Sequence, residues 1–114
     1  MLILKEGVAS FNGKVVTFTN KEFRMFNYLL ANLKKRGANY EAMINYVWGA
    51  RRCVVSLNTV SQLAYRVRVK LKNEGIPLTI KISQQEGPSL VSEEKILILK
   101  KTRNFIGWRF YLIK

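Results

Sequence analysis

The stretch SLNTVSQLAYRVRVKLK, residues 56–72, has the clearest pattern in this chain. Its apolar side chains recur at i, i+3 or i+4, and i+7, which is the spacing of a helix with one buried side. The residues on that side are Val60, Leu63, Ala64, Val67 and Leu71. Ser56 is a good N-cap, and Asn73 and Gly75 end the pattern. The stretch therefore predicts an amphipathic helix that contributes to a core.

The opposite side of this predicted helix is polar and basic. It carries Thr59, Ser61, Gln62, Tyr65 and Arg66, with Arg68, Lys70 and Lys72 near its edge or in its last turn. Solvent-exposed helix faces usually carry both acidic and basic residues, but residues 56–72 contain no acidic residue, and the first one after them is Glu74. We interpret it as a candidate DNA-recognition helix, because arginine and glutamine can bond to guanine and adenine edges. A solvated basic helix is the alternative.

The overall charge also favours a polyanionic partner. Twenty Lys and Arg against seven acidic residues give a formal net charge of +13. A domain this basic has the electrostatic footprint of a nucleic-acid binder, with an anionic membrane surface and a ribosomal or acidic protein as alternatives. At 114 residues with 48% hydrophobic residues, the chain is long enough for one domain with one core.

Several functional classes are disfavoured by residues that the sequence lacks. It contains neither His nor Asp, so it has no histidine-based nucleophile pair, no imidazole metal ligand and no phospho-acceptor aspartate. We therefore expect no enzyme activity, metal site, cofactor or small-molecule ligand. The apolar runs are shorter than the roughly 18–20 residues that span a bilayer, no signal peptide is recognisable, and the lone Cys53 is consistent with a reducing compartment. These features predict a cytoplasmic protein.

Strand signals precede the helix region. Residues 2–4, 8–11 and 15–18 are rich in β-branched and aromatic side chains. Asn12-Gly13 lies between the last two and favours a two-residue hairpin turn, in which both residues adopt positive φ. We predict a small antiparallel sheet of three or four strands in this N-terminal segment.

Two more helices are expected between this sheet and the basic helix. Thr19 and Glu22 have the spacing of a capping box, in which each side chain bonds to the other residue's backbone. An apolar stripe at helical spacing follows them. Asn39 is a plausible N-cap for a shorter helix over residues 40–48, which Gly49 ends.

Strand signals return after the third helix. Residues 78–83, 96–101 and 108–113 are apolar runs of strand length. The polar stretch between the first two is interpreted as a connection, and residues 102–107 as a turn. Two helices joined by a short turn, of which the later is basic and precedes a hairpin, have the layout of a winged helix-turn-helix.

We therefore predict one α+β domain over residues 1–114. It has a small N-terminal antiparallel sheet in residues 1–18, a three-helix core in residues 19–75, and an extended C-terminal β-hairpin or wing in residues 76–114.

Four stretches of the chain resemble the OmpR/PhoB-type winged-helix DNA-binding domain. They are TNKEFRMFNYLLAN (19–32), NYEAMINYVWG (39–49), NTVSQLAYRVRVKL (58–71) and GWRF (107–110). The resemblance implies a transcriptional regulator that binds duplex DNA sequence-specifically, with the third helix in the major groove and the wing, at about residues 102–107, at the minor groove. It also implies homodimers on direct repeats and contact with RNA polymerase through the loop at residues 49–55.

The chain also departs from this family. No receiver domain precedes the helices, so it is similar to the ToxR-like and CadC-like branch, and we expect either a stand-alone regulator or the cytoplasmic part of a membrane-anchored one. Residues 77–95 are longer than the usual join between third helix and wing. This feature supports an alternative function, a protein-interaction module whose basic face docks an acidic partner.

Gln62 and Arg66 are the candidates for base-edge contacts, because they lie one helical turn apart on the outward face. Thr59 and Ser61, in the first turn, are candidates for phosphate or base contacts, with simple capping as the alternative for Thr59. Tyr65 is a candidate for sugar or phosphate contact, and packing against the wing is the alternative.

The remaining candidates come from the resemblance. Asn58 matches a position that contacts DNA in some members of the family. Arg68 matches the basic residue of the family's L-R pair, which implies a phosphate contact. Trp48 matches the tryptophan of the family's V-W-G, whose indole N–H can donate to a phosphate, although a core position is the alternative. Arg103 and Asn104 are the candidates at the wing tip, since narrow A·T minor grooves attract arginine.

Overall fold

The computed structural model describes residues 1–33, 40–50, 55–83, 87–92, 94–101 and 108–113. In chain order its elements are β1 (Leu2–Lys5), β2 (Val8–Phe11), β3 (Lys14–Thr17), α1 (Asn20–Ala31), α2 (Tyr40–Trp48), α3 (Leu57–Asn73), β4 (Leu78–Ser83), β5 (Gly87–Ser92), β6 (Ile96–Lys101) and β7 (Trp108–Ile113). The predicted α+β class, with a sheet, three helices and C-terminal strands, is confirmed.

The predicted starts of α1 and α3 are present as side-chain caps, and Asn39, the expected cap of α2, lies outside the described residues. Thr19 caps α1 with both bonds of the capping box, since its backbone N donates to Glu22 Oε1 at 2.8 Å and Glu22 N donates to Thr19 Oγ1 at 3.3 Å. Ser56 caps α3, where Thr59 N donates to Ser56 Oγ at 3.2 Å. These bonds satisfy backbone donors that have no partner within the first helical turn.

The N-terminal strands belong to a larger sheet than the sequence predicts. Its strand order is β3-β2-β1-β6-β7. The Asn-Gly turn between β2 and β3 is confirmed, with φ of 49° at Asn12 and 81° at Gly13. The predicted N-terminal antiparallel sheet is confirmed as β1, β2 and β3, and two C-terminal strands extend it, since β6 pairs in parallel with β1 and β7 pairs antiparallel with β6. Pairing between strands so far apart in the chain leaves no local sequence signal.

Residues 84–95, interpreted as a polar connection, contain strand β5 in their described part. This strand pairs antiparallel with β4 in a separate two-stranded sheet, with Ile80 opposite Leu90. Its Gly-Pro start masks the strand pattern, but every strand of a two-stranded sheet is an edge strand, where proline is tolerated. The C-terminal region is therefore two hairpins in different sheets, rather than one extended hairpin.

The core lies between the two sheets and the helices, and α3 contributes a full stripe to it. Val60, Ala64, Val67 and Leu71 are 0% exposed and Leu63 is 1% exposed, as the periodicity predicts. Next to this stripe, α3 contacts α1 on one side and β4 on the other. The remaining face of α3 is directed to solvent.

A polar contact ties β6 to the helices. Lys100 Nζ donates to Asn27 Oδ1 on α1, and Asn27 Nδ2 donates to the Tyr46 hydroxyl on α2 at 2.9 Å. In the part of the chain that the structure describes, no helix has the length and apolar character needed to cross a membrane.

Candidate nucleic-acid interface

The solvent-facing side of α3 brings most of the predicted contact residues together. Asn58, Gln62, Tyr65 and Arg66 are exposed, and the two largest of them, Tyr65 and Arg66, are each 60% exposed. With Ser61, the last three of these residues line a shallow recess of about 360 Å³. We call residues Asn58, Ser61, Gln62, Tyr65 and Arg66 the outward face of α3. It presents amide, hydroxyl and guanidinium groups on successive helical turns and no carboxylate.

In the first turn of α3, the Thr59 hydroxyl is already used in the helix cap. The hydroxyls of Ser56 and Thr59 lie 3.0 Å apart and share a hydrogen bond. Thr59 is half-buried, so the capping alternative describes its position in the structure. Leu57, which helical periodicity places beside the buried stripe, is instead 63% exposed next to Asn58. The sequence offered no reason to single it out.

Arg68 lies on the flank of α3 that faces β4. Its Nη1 donates to the carbonyl oxygen of Ile80 at 3.1 Å, and the side chain is half-buried. This bond fixes β4 and its hairpin against α3. The predicted phosphate contact of Arg68 would have to use the other guanidinium nitrogens.

The opposite flank of α3 covers a buried carboxylate. The Glu22 side chain is 2% exposed, and its Oε1 accepts from Lys70 Nζ at 2.6 Å. Lys70 Nζ also donates to the carbonyl oxygen of Thr17 at 2.9 Å. The second oxygen, Oε2, lies 3.9 Å from Arg66 Nε. Sequence reasoning treated Glu22 only as a cap, because nothing local indicates a partner 48 residues away.

Glu22 is ionised at neutral pH. Burial alone acts to raise the pKa of this carboxyl, but the hydrogen bond from Lys70, the bonds from Thr19 and the Lys70 charge together outweigh it. The pKa of Glu22 therefore lies below its ordinary value. As a result, Glu22 offsets part of the positive charge on this flank of α3.

Trp48 ends α2 and packs, half-buried, against the core. This position agrees with its core alternative and leaves the indole phosphate contact a prediction. Arg103 and Asn104 lie outside the described residues, as does the middle of the 49–55 loop. The strands that flank residues 102–107 are β6 and β7 of the five-stranded sheet.

The hairpin that directly follows α3 is β4–β5. It packs beside α3 and does not cover the outward face, since Gln62, Tyr65 and Arg66 remain exposed. On β4, Lys81 is exposed opposite the exposed Ser89. Lys81 was not among the predicted contact residues, because residues 84–95 were interpreted as a connection and the β4–β5 hairpin was therefore not expected. Within the described ranges, no cluster of three or more Cys or Glu side chains is placed to hold a metal ion.

A search among curated proteins finds no match to this chain. A family model described as "Transcriptional regulatory protein, C terminal" matches residues 13–87. The match runs from β3 through α3 to the start of β5, well over half of the 114 residues. The GWRF stretch (107–110) lies outside it. This family is a DNA-binding regulatory domain rather than a family of enzymes. The chain therefore belongs to the C-terminal domains of transcriptional regulatory proteins, which are the OmpR/PhoB-type winged-helix DNA-binding domains.

Proposed function

We propose that this domain recognises a specific duplex sequence with the outward face of α3 in the major groove. The observation that carries the proposal is the exposure of Gln62 and Arg66 one turn apart, on a face without carboxylates. In the major groove, arginine bonds to guanine O6 and N7, and glutamine to adenine N6 and N7. The recess between them leaves room for base edges.

Phosphate contacts fix the register of this helix on DNA. Asn58 and Ser61 lie in its first turns, where the helix N-terminus also favours an anion. Thr59 contributes through the cap and Tyr65 through its exposed hydroxyl. Trp48 and Arg68 are the further candidates; both are half-buried, and one terminal nitrogen of Arg68 is bonded to Ile80.

We assign the wing to the β4–β5 hairpin. It follows α3 directly, its first strand packs on α3, and the bond from Arg68 to Ile80 sets its angle. Lys81 is its exposed cation among the described residues. Residues 102–107, with Arg103 and Asn104, are the competing wing.

Assembly follows from the family membership. Two copies are proposed to bind direct repeats as a homodimer, and the 49–55 loop is proposed to contact RNA polymerase. Selection of bound sequences from a random duplex pool tests the function, and the spacing of selected half-sites tests the dimer. Enrichment of no sequence would contradict the proposal.

A salt titration on the selected site separates this function from the alternative interaction module. If the domain binds DNA, the logarithm of its association constant should fall linearly with the logarithm of the salt concentration, with a slope of about −0.9 for each phosphate contacted. An interaction module for an acidic protein predicts little binding to random duplex DNA even at low salt. Gln62, Tyr65 and Arg66 remain exposed beside the β4–β5 hairpin, which supports DNA binding by the outward face of α3.

A further inference from the structure

The buried carboxylate of Glu22 is held in place by α1. Its Oε1 accepts from the backbone N of Thr19 at 2.8 Å, inside the first turn of the helix. The side chain is 2% exposed, so water does not compete for it. The position of this carboxylate is therefore set by the capping box on α1 and by Lys70 on α3.

The two oxygens of Glu22 face different cations. Oε1 binds Lys70, and Lys70 is further bound to the Thr17 carbonyl oxygen. Oε2 has no hydrogen bond among the described residues and lies 3.9 Å from Arg66 Nε, which is an ion-pair distance. Lys70 is thus directed inward, whereas Arg66 Nε lies within ion-pair distance of Oε2 but beyond hydrogen-bond length, and the Arg66 side chain is 60% exposed.

We propose that Glu22 is a positioning residue for DNA recognition, which holds the Nε edge of Arg66 so that its two terminal nitrogens point outward. This inference rests on the proposed function of α3. A guanidinium held at Nε still offers both Nη groups for a bidentate bond to guanine. Holding it before binding reduces the side-chain entropy lost on binding, which is large for a free arginine. Glu22 therefore contributes to specificity without contacting DNA.

The variant that tests this is Glu22→Gln. Glutamine also completes a capping box, so the cap of α1 is kept while the charge that attracts Arg66 is removed. A good bidentate contact discriminates about 5- to 150-fold against the wrong base pair, and we expect loss of positioning to lower that ratio by roughly two- to fivefold, the range for an exposed ion pair. Affinity for random duplex DNA should stay the same or rise, because one negative charge is lost.

The matched control is Glu41→Gln, which removes the same charge from the first turn of α2. It should leave the ratio of specific to random affinity unchanged. In an Arg66→Ala background, Glu22→Gln should cause no further loss of discrimination. A parallel loss of both affinities in Glu22→Gln, or an undiminished ratio, would overturn the positioning role.

A measurement without DNA keeps this inference separate from the proposed function. NMR relaxation of the Arg66 Nε–H group reports its order in the free protein, and we expect that order to fall in Glu22→Gln and to persist in Glu41→Gln. Equal order in wild type and Glu22→Gln contradicts the positioning role. If wild type instead shows an ordered Arg66 but selects no sequence, the proposed function fails and the positioning contact stands.

Discussion

Arg66 and Lys70 lie one helical turn apart on α3 and share one carboxylate, yet the structure gives them different positions. Lys70 is bonded to Glu22 and to the Thr17 carbonyl, so two of its three donors are satisfied within the protein. Arg66 meets Glu22 only at 3.9 Å and is mostly in solvent. The residue type alone does not distinguish a cation that stabilises the fold from one that is available to DNA.

Replacing Arg66 with alanine is expected to reduce discrimination between the preferred and random duplexes by about 1–3 kcal/mol. The reason is loss of a bidentate contact to a base edge. Competition binding measures it, with Arg24→Ala as the matched control, since Arg24 is an exposed helical arginine on α1. Equal discrimination in the two variants would contradict a base contact and assign Arg66 to a phosphate or to solvent.

Glu22 also predicts a pH dependence of stability. Its pKa is lowered in the folded protein, so its stabilising contribution is fully present above the ordinary carboxyl pKa and is lost as the pH falls through the lowered value. At neutral pH, Glu22→Gln should reduce the free energy of unfolding by about 1–3 kcal/mol, the range for bonds to charged groups. Urea titrations across acidic pH measure this, and the difference from wild type should shrink as pH falls. A difference that is constant with pH would contradict the assignment.

Two hairpins, β4–β5 and β6–β7, are candidates for the wing. A hairpin that follows the recognition helix without a long connection can be fixed against it, as β4 is through Ile80. The β6–β7 hairpin is instead fixed by its pairing with β1. The two hairpins therefore have different anchors, and they need not both reach DNA.

Lys81→Ala and Arg103→Ala separate the two wings. If β4–β5 is the wing, Lys81→Ala weakens binding about equally for all sequences and lowers the salt slope by about 1, as expected for a phosphate contact. Arg103→Ala then has little effect. The reverse result would place the wing at residues 102–107. Salt-dependent binding isotherms on one duplex are sufficient for the comparison.

In the whole molecule, β6 connects the N-terminal strands to β7 within one sheet, because it pairs with both β1 and β7. It lies between β1 and β7, and Ile98 is fully buried opposite Leu2. Lys100 adds the contact to Asn27 on α1. Ile98 and Lys100 lie beyond residue 87, where the family match ends. They support the domain away from the outward face of α3.

Ile98→Ala is therefore expected to reduce the free energy of unfolding by about 2–5 kcal/mol, the cost of truncating a large buried aliphatic side chain. DNA affinity, measured well below the melting temperature, should remain unchanged. Leu97→Ala is the control, because the neighbouring side chain is 38% exposed and such substitutions usually change stability by no more than about 0.5 kcal/mol. Similar losses in both variants would mean that β6 does not occupy this central position.

The sequence by itself determined the three helices, the caps of α1 and α3, the Asn-Gly turn and the buried stripe of α3. These features depend on interactions within a few residues, so periodicity and capping patterns reveal them. The exposure of Gln62 and Arg66 follows from the same periodicity, since a buried stripe defines the opposite face.

Only the tertiary structure decided that β6 pairs in parallel with β1, that β4–β5 lies against α3, and that Glu22 lies beneath Arg66 and Lys70. Each of these contacts joins segments distant in the chain, and its energy depends on burial and geometry that no local pattern records. The basic composition predicted a polyanion binder. Which basic residues stabilise the fold and which stay exposed depends on their distance from the buried Glu22: Lys70 is bonded to it, whereas Arg66 remains mostly exposed.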